Sequence, residues 1–170
     1  GTKEGAWTGW GQGGPGKTKR QGERMGYKLL GSRGLRVSEI ALGTMTFGED
    51  WGWGASLEAS RAIFHDYQAA GGNFIDTACN YTNGTSETLL GEFLKGRRDS
   101  TVLATKYTNA MPGTDPNAGG NQRKNMMRSV EASLKRLQTD YIDLSWLHTW
   151  DRMTPAAEVV RAVDDPVRQG

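Results

Sequence analysis

Between Ile40 and Asp165, four apolar runs alternate with four segments of helical period, and this alternation restricts the fold more than any other feature. The runs are "IALGTMTFG", "NFIDTA", "STVLATKY" and "YIDLSWLH", at roughly thirty-residue spacing. Each is continuous rather than alternating, as in a strand covered on both faces. The first helical segment, "SLEASRAIFHDYQAAGG", has Ser56 as a cap and Gly71–Gly72 as a stop, with Ile63, Tyr67 and Ala70 on one face. "SETLLGEFLKG" predicts a short helix with Leu89, Leu90, Phe93 and Leu94 inward and Gly96 at its end. Met127, Val130, Leu134 and Leu137 mark a third helix. "TPAAEVVRAVDD" opens a fourth, with Thr154 as N-cap, Pro155 at the first helical position, and a stop or kink expected near Asp165, before Pro166. Such alternation means a parallel sheet with crossover helices, either an open doubly wound sheet or a (β/α) barrel. The dinucleotide fingerprint is absent after the first run, which favours the barrel. Upstream, "YKLLGSRGLRVSEI" reads as a hairpin turning at Ser32–Gly34.

The 170 residues suffice for one domain with a real core. The formal charge of +2 is too small to argue for nucleic acid or an anionic membrane, and no run approaches a membrane span. The single cysteine, Cys79, makes no internal disulfide, which fits a reducing, cytoplasmic setting. Residues 1–24 are rich in Gly, Lys and Arg, with Trp7 and Trp10 as their only large apolar groups, and read as a disordered tail. Within them "GQGGPGKT", Gly11–Thr18, matches the phosphate-loop pattern. That loop needs a buried strand before it and a helix after it. "EGAWTGW" and "KRQGERMG" supply neither, so the match reads as chance.

In a (β/α) barrel the active site lies at the C-terminal ends of the strands. Here those ends carry Gly43, Thr44 and Met45, then Asp76, then Lys106, then His148, with Tyr81 five residues beyond Asp76. Singly, these residues also suit a turn cap, a solvated strand end, a core histidine and a packed loop tyrosine. Together they place a carboxylate, an ammonium, an imidazole and a phenol on one rim. A phenol titrating near pH 10 is a poor proton donor at neutrality, and a nearby ammonium stabilises its phenolate. A carboxylate keeps the lysine charged and aimed, and a histidine can orient a bound carbonyl. The set suits protonation of an alkoxide forming at a carbonyl carbon, with the hydride supplied by a nicotinamide cofactor.

"LLGSRGLRVSEIALGTMTFG", "GGNFIDTACNY", "SETLLGEFL", "VLATKY" and "YIDLSWLHTWD" together resemble the N-terminal half of the aldo-keto reductases. The resemblance covers residues 25–170. It implies the first four β/α units of a (β/α)₈ TIM barrel, so the chain reads as truncated, with much of the cofactor-binding half outside it. By the same resemblance the family's catalytic aspartate, tyrosine, lysine and histidine fall on Asp76, Tyr81, Lys106 and His148. Gly43, Thr44 and Met45 would lie beside the nicotinamide of NADP(H), and Asp76 near its ribose. Family members reduce small aldehydes and ketones with the tyrosine as general acid. Trp51 and Trp150, and with them Trp53, are candidates for an apolar substrate wall or for loop packing. The resemblance leaves the particular carbonyl, the choice between NADP and NAD, and the oligomeric state open. A non-catalytic cofactor-binding or regulatory subunit, or an inert fragment, is the alternative reading.

Overall fold

A computed structural model describes residues 25–109 and 113–169. The tail and its Gly11–Thr18 motif lie outside the described residues. The chain opens with an antiparallel hairpin, β1 (Tyr27–Leu29) and β2 (Arg36–Ser38). Four β/α units follow. They comprise β3 (Leu42–Gly43) and α1 (Leu57–Ala69), β4 (Phe74–Asp76) and α2 (Thr85–Phe93), β5 (Val102–Tyr107) and α3 (Arg123–Leu137), and β6 (Leu144–Leu147) and α4 (Ala156–Gln169). The four strands of these units form one parallel sheet in the order β3-β4-β5-β6. This is four units of a barrel wall, each strand beside its predecessor with a helix crossing over between them.

Alternation along the strands decides what each residue meets. Ile75 and Leu103 are fully buried under the helices, in one cluster with Phe64 of α1, Leu90 and Phe93 of α2, and Leu137 of α3. Tyr107, Met126 and Ala162 form a smaller cluster toward α4. Their neighbours Phe74, Asp76 and Lys106 look the other way, into the concave face.

Several helix details differ from the sequence reading. Ser56 does cap α1, accepting from the Ala59 N–H. The buried face of that helix is Ser60 and Phe64, however, and Ile63 is exposed. Tyr67 stays partly buried because its hydroxyl bonds the Ile40 and Phe74 carbonyls, pinning α1 to β4 and to the segment that leads into β3. On α3 the buried residues are Asn125, Met126, Ser133 and Leu137, so Leu137 of the expected stripe is buried while Met127, Val130 and Leu134 are partly buried beside that line. The Thr154 hydroxyl donates to Asp151 rather than capping α4. Pro166 sits inside α4, which runs on to Gln169. It stands in the last turn, where the interruption of the ladder falls close to the frayed end of the helix.

Candidate active site

The rim is built by register. Gly43 pairs with Asp76, Asp76 with Ala104, and Lys106 with Trp146. Lys106 therefore stands two residues further along the strand direction than Ala104, beside and above Asp76. Its ammonium donates to Asp76 Oδ2 at 2.5 Å, to the Thr77 carbonyl at 2.8 Å and to the Tyr81 hydroxyl at 3.2 Å. All three donors of the ammonium are used, on a side chain only 14% exposed.

Tyr81 begins the turn between β4 and α2. Thr82 and Asn83, just after it, have φ of 45° and 55°. A β-branched residue at positive φ is an outlier that its surroundings must hold in place. Here Thr82 is fully buried, donates to the Phe47 carbonyl at 2.6 Å and accepts from the Ser86 N–H, the second residue of α2. The Thr82 hydroxyl thus does the work of a helix cap from outside the usual position.

His148 follows β6. Its ring meets the Tyr81 ring edge to face at 5.8 Å, and the Asn109 side-chain nitrogen donates to Nδ1 at 3.2 Å. Burial, and then the Lys106 charge, hold the imidazole below its ordinary value of 6.5, with Asp76 opposing. A neutral ring that accepts at Nδ1 carries its proton on Nε2, a donor.

Gly43, Phe74, Asp76, Lys106, Trp146 and His148 line a cleft of about 520 Å³ on the concave face. Thr44 is not among them. Its side chain is fully buried, donating to the Asp76 carbonyl and bonded to Ser86, whose hydroxyl also meets Thr77. Thr44 shapes the turn from behind. Met45 is exposed on that turn. Trp51 packs on Trp53, ring centres 5.5 Å apart, and Trp150 is exposed; neither Trp51 nor Trp150 lines the cleft. Trp146 does, and the sequence reading passed over it. The available signal was period two: Trp146, on β6, precedes His148, just past the end of that strand, by two residues. Cys79 is buried behind the rim, and burial, then the Glu87 charge, push its thiol up to about 11. A thiol so shifted is a weak nucleophile.

The four parallel units, with an ionisable rim at the strand C-termini, define a (β/α)-barrel protein. The aldo/keto reductase family model matches residues 39–170, and the chain belongs to that family. A norsolorinic acid reductase of Aspergillus flavus is 42% identical over 159 residues, covering 86% of this chain and 41% of that protein. An aldo-keto reductase of Aspergillus calidoustus is 38% identical, covering 85% and 39%. Among solved structures, an aldo-keto reductase from Bacillus halodurans in its holo form superposes with a TM-score of 0.76 at 34% identity, covering 86% of this chain and 48% of that one. The chain thus spans about two-fifths of the length of these curated relatives. Among the described residues no helix is long and apolar enough to cross a membrane.

Proposed function

We propose that this chain carries the proton-transfer half of an NADP(H)-dependent carbonyl reductase, with Tyr81 as general acid. The observation that supports this most is the Lys106 ammonium, shared between the Asp76 carboxylate and the Tyr81 hydroxyl. As a carbonyl carbon gains a hydride, its oxygen becomes an alkoxide and needs a proton. The Tyr81 hydroxyl gives it, and the charge left on the phenol oxygen is met by Lys106. Asp76 keeps the ammonium in place. His148, neutral and protonated on Nε2, donates to the carbonyl oxygen and orients it. Trp146 and Phe74 supply an apolar wall that suits the body of an aldehyde or ketone.

The residues present fit a nicotinamide. Gly43 lines the cleft with nothing within 4 Å of where a Cβ would stand, so a flat ring can approach the backbone. Asp76 Oδ1 is left to accept from a ribose hydroxyl, while Oδ2 holds Lys106. When bound, the cofactor supplies the hydride. The small-carbonyl reading draws on the reductase relatives and on the apolar cleft.

Aldehyde-dependent NADPH oxidation tests the reading. The chain is assayed alone and with the complementary four-unit half of a relative's barrel added in trans. The isolated chain is expected to turn over slowly, because it spans only about two-fifths of the length of its reductase relatives. The added half should raise the rate, and Tyr81→Phe should then lower it about a hundredfold or more. Equal rates with and without the Tyr81 hydroxyl would remove the general-acid assignment. NADPH binding with no oxidation in either form would favour a binding subunit instead.

A further inference from the structure

Glu87 is a fully buried carboxylate that the proposed chemistry does not use. It stands on α2, behind the sheet, and both of its oxygens are taken by other elements. Thr105 on β5 donates its hydroxyl to Oε1 at 2.6 Å. Arg136 on α3 places Nε at 2.8 Å and Nη2 at 2.7 Å from Oε2. The same Nη2 reaches the Cys79 carbonyl at 3.4 Å. The two helices come this close because Gly91 has no side chain: a Cβ there would lie 2.4 Å from the Arg136 carbonyl oxygen.

A buried ion pair is weak evidence for stability, since apolar replacements of similar volume often fold as well. Its contacts here follow a pattern of their own. Thr105 immediately precedes Lys106, and Cys79 precedes Tyr81 by two residues. Neighbours on a strand face opposite sides, so holding Thr105 from behind sets the height and rotation of Lys106 in front. Holding the Cys79 carbonyl fixes the start of the turn that presents Tyr81. One carboxylate and one guanidinium thus tie together the two segments whose side chains must meet.

We infer that Glu87 and Arg136 are positioning residues that keep the Lys106 ammonium against the Tyr81 hydroxyl. The inference rests on the Tyr81–Lys106 reading above. It predicts that breaking the tie moves the catalytic pair before it unfolds the chain.

The test uses the full 170-residue chain with isotope-labelled tyrosine, reading the Tyr81 Cζ resonance at fixed neutral pH. Tyr81→Phe assigns that signal among the five tyrosines of the sequence. Lys106→Met gives its position without the ammonium. Thr105→Val, which keeps the ion pair but loses the hydroxyl, should carry the signal at least half of the way toward the Lys106→Met position. Thr105→Ser, which restores a hydroxyl, should return it to the wild-type position. Arg136→Lys, which keeps a charge beside Glu87 but loses the reach to Cys79, should shift it in the same direction as Thr105→Val, and it decides the matter if Thr105→Val does not fold. A signal unmoved in folded Thr105→Val and Arg136→Lys, but moved in Lys106→Met, overturns the positioning role alone. A signal unmoved in Lys106→Met overturns the contact between Tyr81 and Lys106, and the inference with it.

Discussion

Ile75 and Asp76 are neighbours on β4, yet they face two different environments. Ile75 lies under three helices and is fully buried. Asp76 faces the open concave side, with its side chain 31% exposed beside an ammonium. The same division runs through β5, where Leu103 and Thr105 meet the helix layer and Lys106 meets the cleft. The apolar core is gathered on one face of the sheet and the proposed chemistry on the other, from one set of strands read with a period of two. The helix layer can therefore be close-packed while the rim holds charges that a packed core would exclude.

The sharpest way to break this comparison is to truncate one large side chain on each face. Leu103→Ala removes a fully buried group from the main cluster, and a loss of about 2–5 kcal/mol in unfolding free energy is expected. Trp146→Ala removes a larger group from the concave face, where it is 43% exposed. It should cost less than Leu103→Ala, since almost half of its surface already meets water and its removal leaves an open face rather than a closed cavity. Urea denaturation of both proteins compares them directly. Equal losses would mean that the concave face carries as much of the fold as the helix layer does.

Gly91→Ala sharpens the account of the helix layer. The added methyl meets the backbone of Arg136 and Leu137 at 2.4–3.1 Å, and backbone cannot swing aside as a side chain can. The substitution raises helix propensity, yet overpacking should win and destabilise by about 1–3 kcal/mol. A stabilised Gly91→Ala protein, by thermal melting, would show that α2 and α3 have room to separate.

What the sequence revealed divides along the same line. The parallel units were legible because both-faces-covered strands leave continuous apolar runs, and helix ends leave Ser56 and Gly71 as marks. The rim was partly legible, since an ionisable residue at the end of an apolar run is conspicuous: Asp76, Lys106 and His148 all stand there. The buried polar network was not legible. Thr44, Thr77, Thr82 and Ser86 look like loop residues until the turn at positive φ folds them inward. Glu87 reads as a solvated helix residue until α3 brings Arg136 to it across 49 positions. The exposed Ile63 shows a further gap, because helical period fixes which residues share a face but not which face is buried. Trp146 was hidden by its company, one aromatic in a run already read as apolar.

The smallest effect expected is a pH dependence confined to the open face. His148 is held below its ordinary value by burial first and by Lys106 second, against Asp76. A histidine whose folded value is depressed binds fewer protons folded than unfolded, so protonation favours the unfolded chain. Its contribution is fully present above the unfolded value of 6.5 and is lost as pH falls below it. Between pH 8 and pH 5, wild-type stability should thus decline slightly, and His148→Gln should flatten that decline. Asp151, beyond the same strand, has a carboxylate held low by N–H donors from Asn121, Thr154 and Met153 and by the Thr154 hydroxyl. Its contribution lasts down to the ordinary carboxylate range and is lost only in stronger acid, so the two titrations separate on the pH axis. Urea midpoints measured across pH 8 to 5 read His148 alone of these two. If the wild-type midpoint rises on acidification, or if His148→Gln leaves the slope unchanged, the imidazole is not the neutral donor that the rim requires. The concave face would then be answering to a different group.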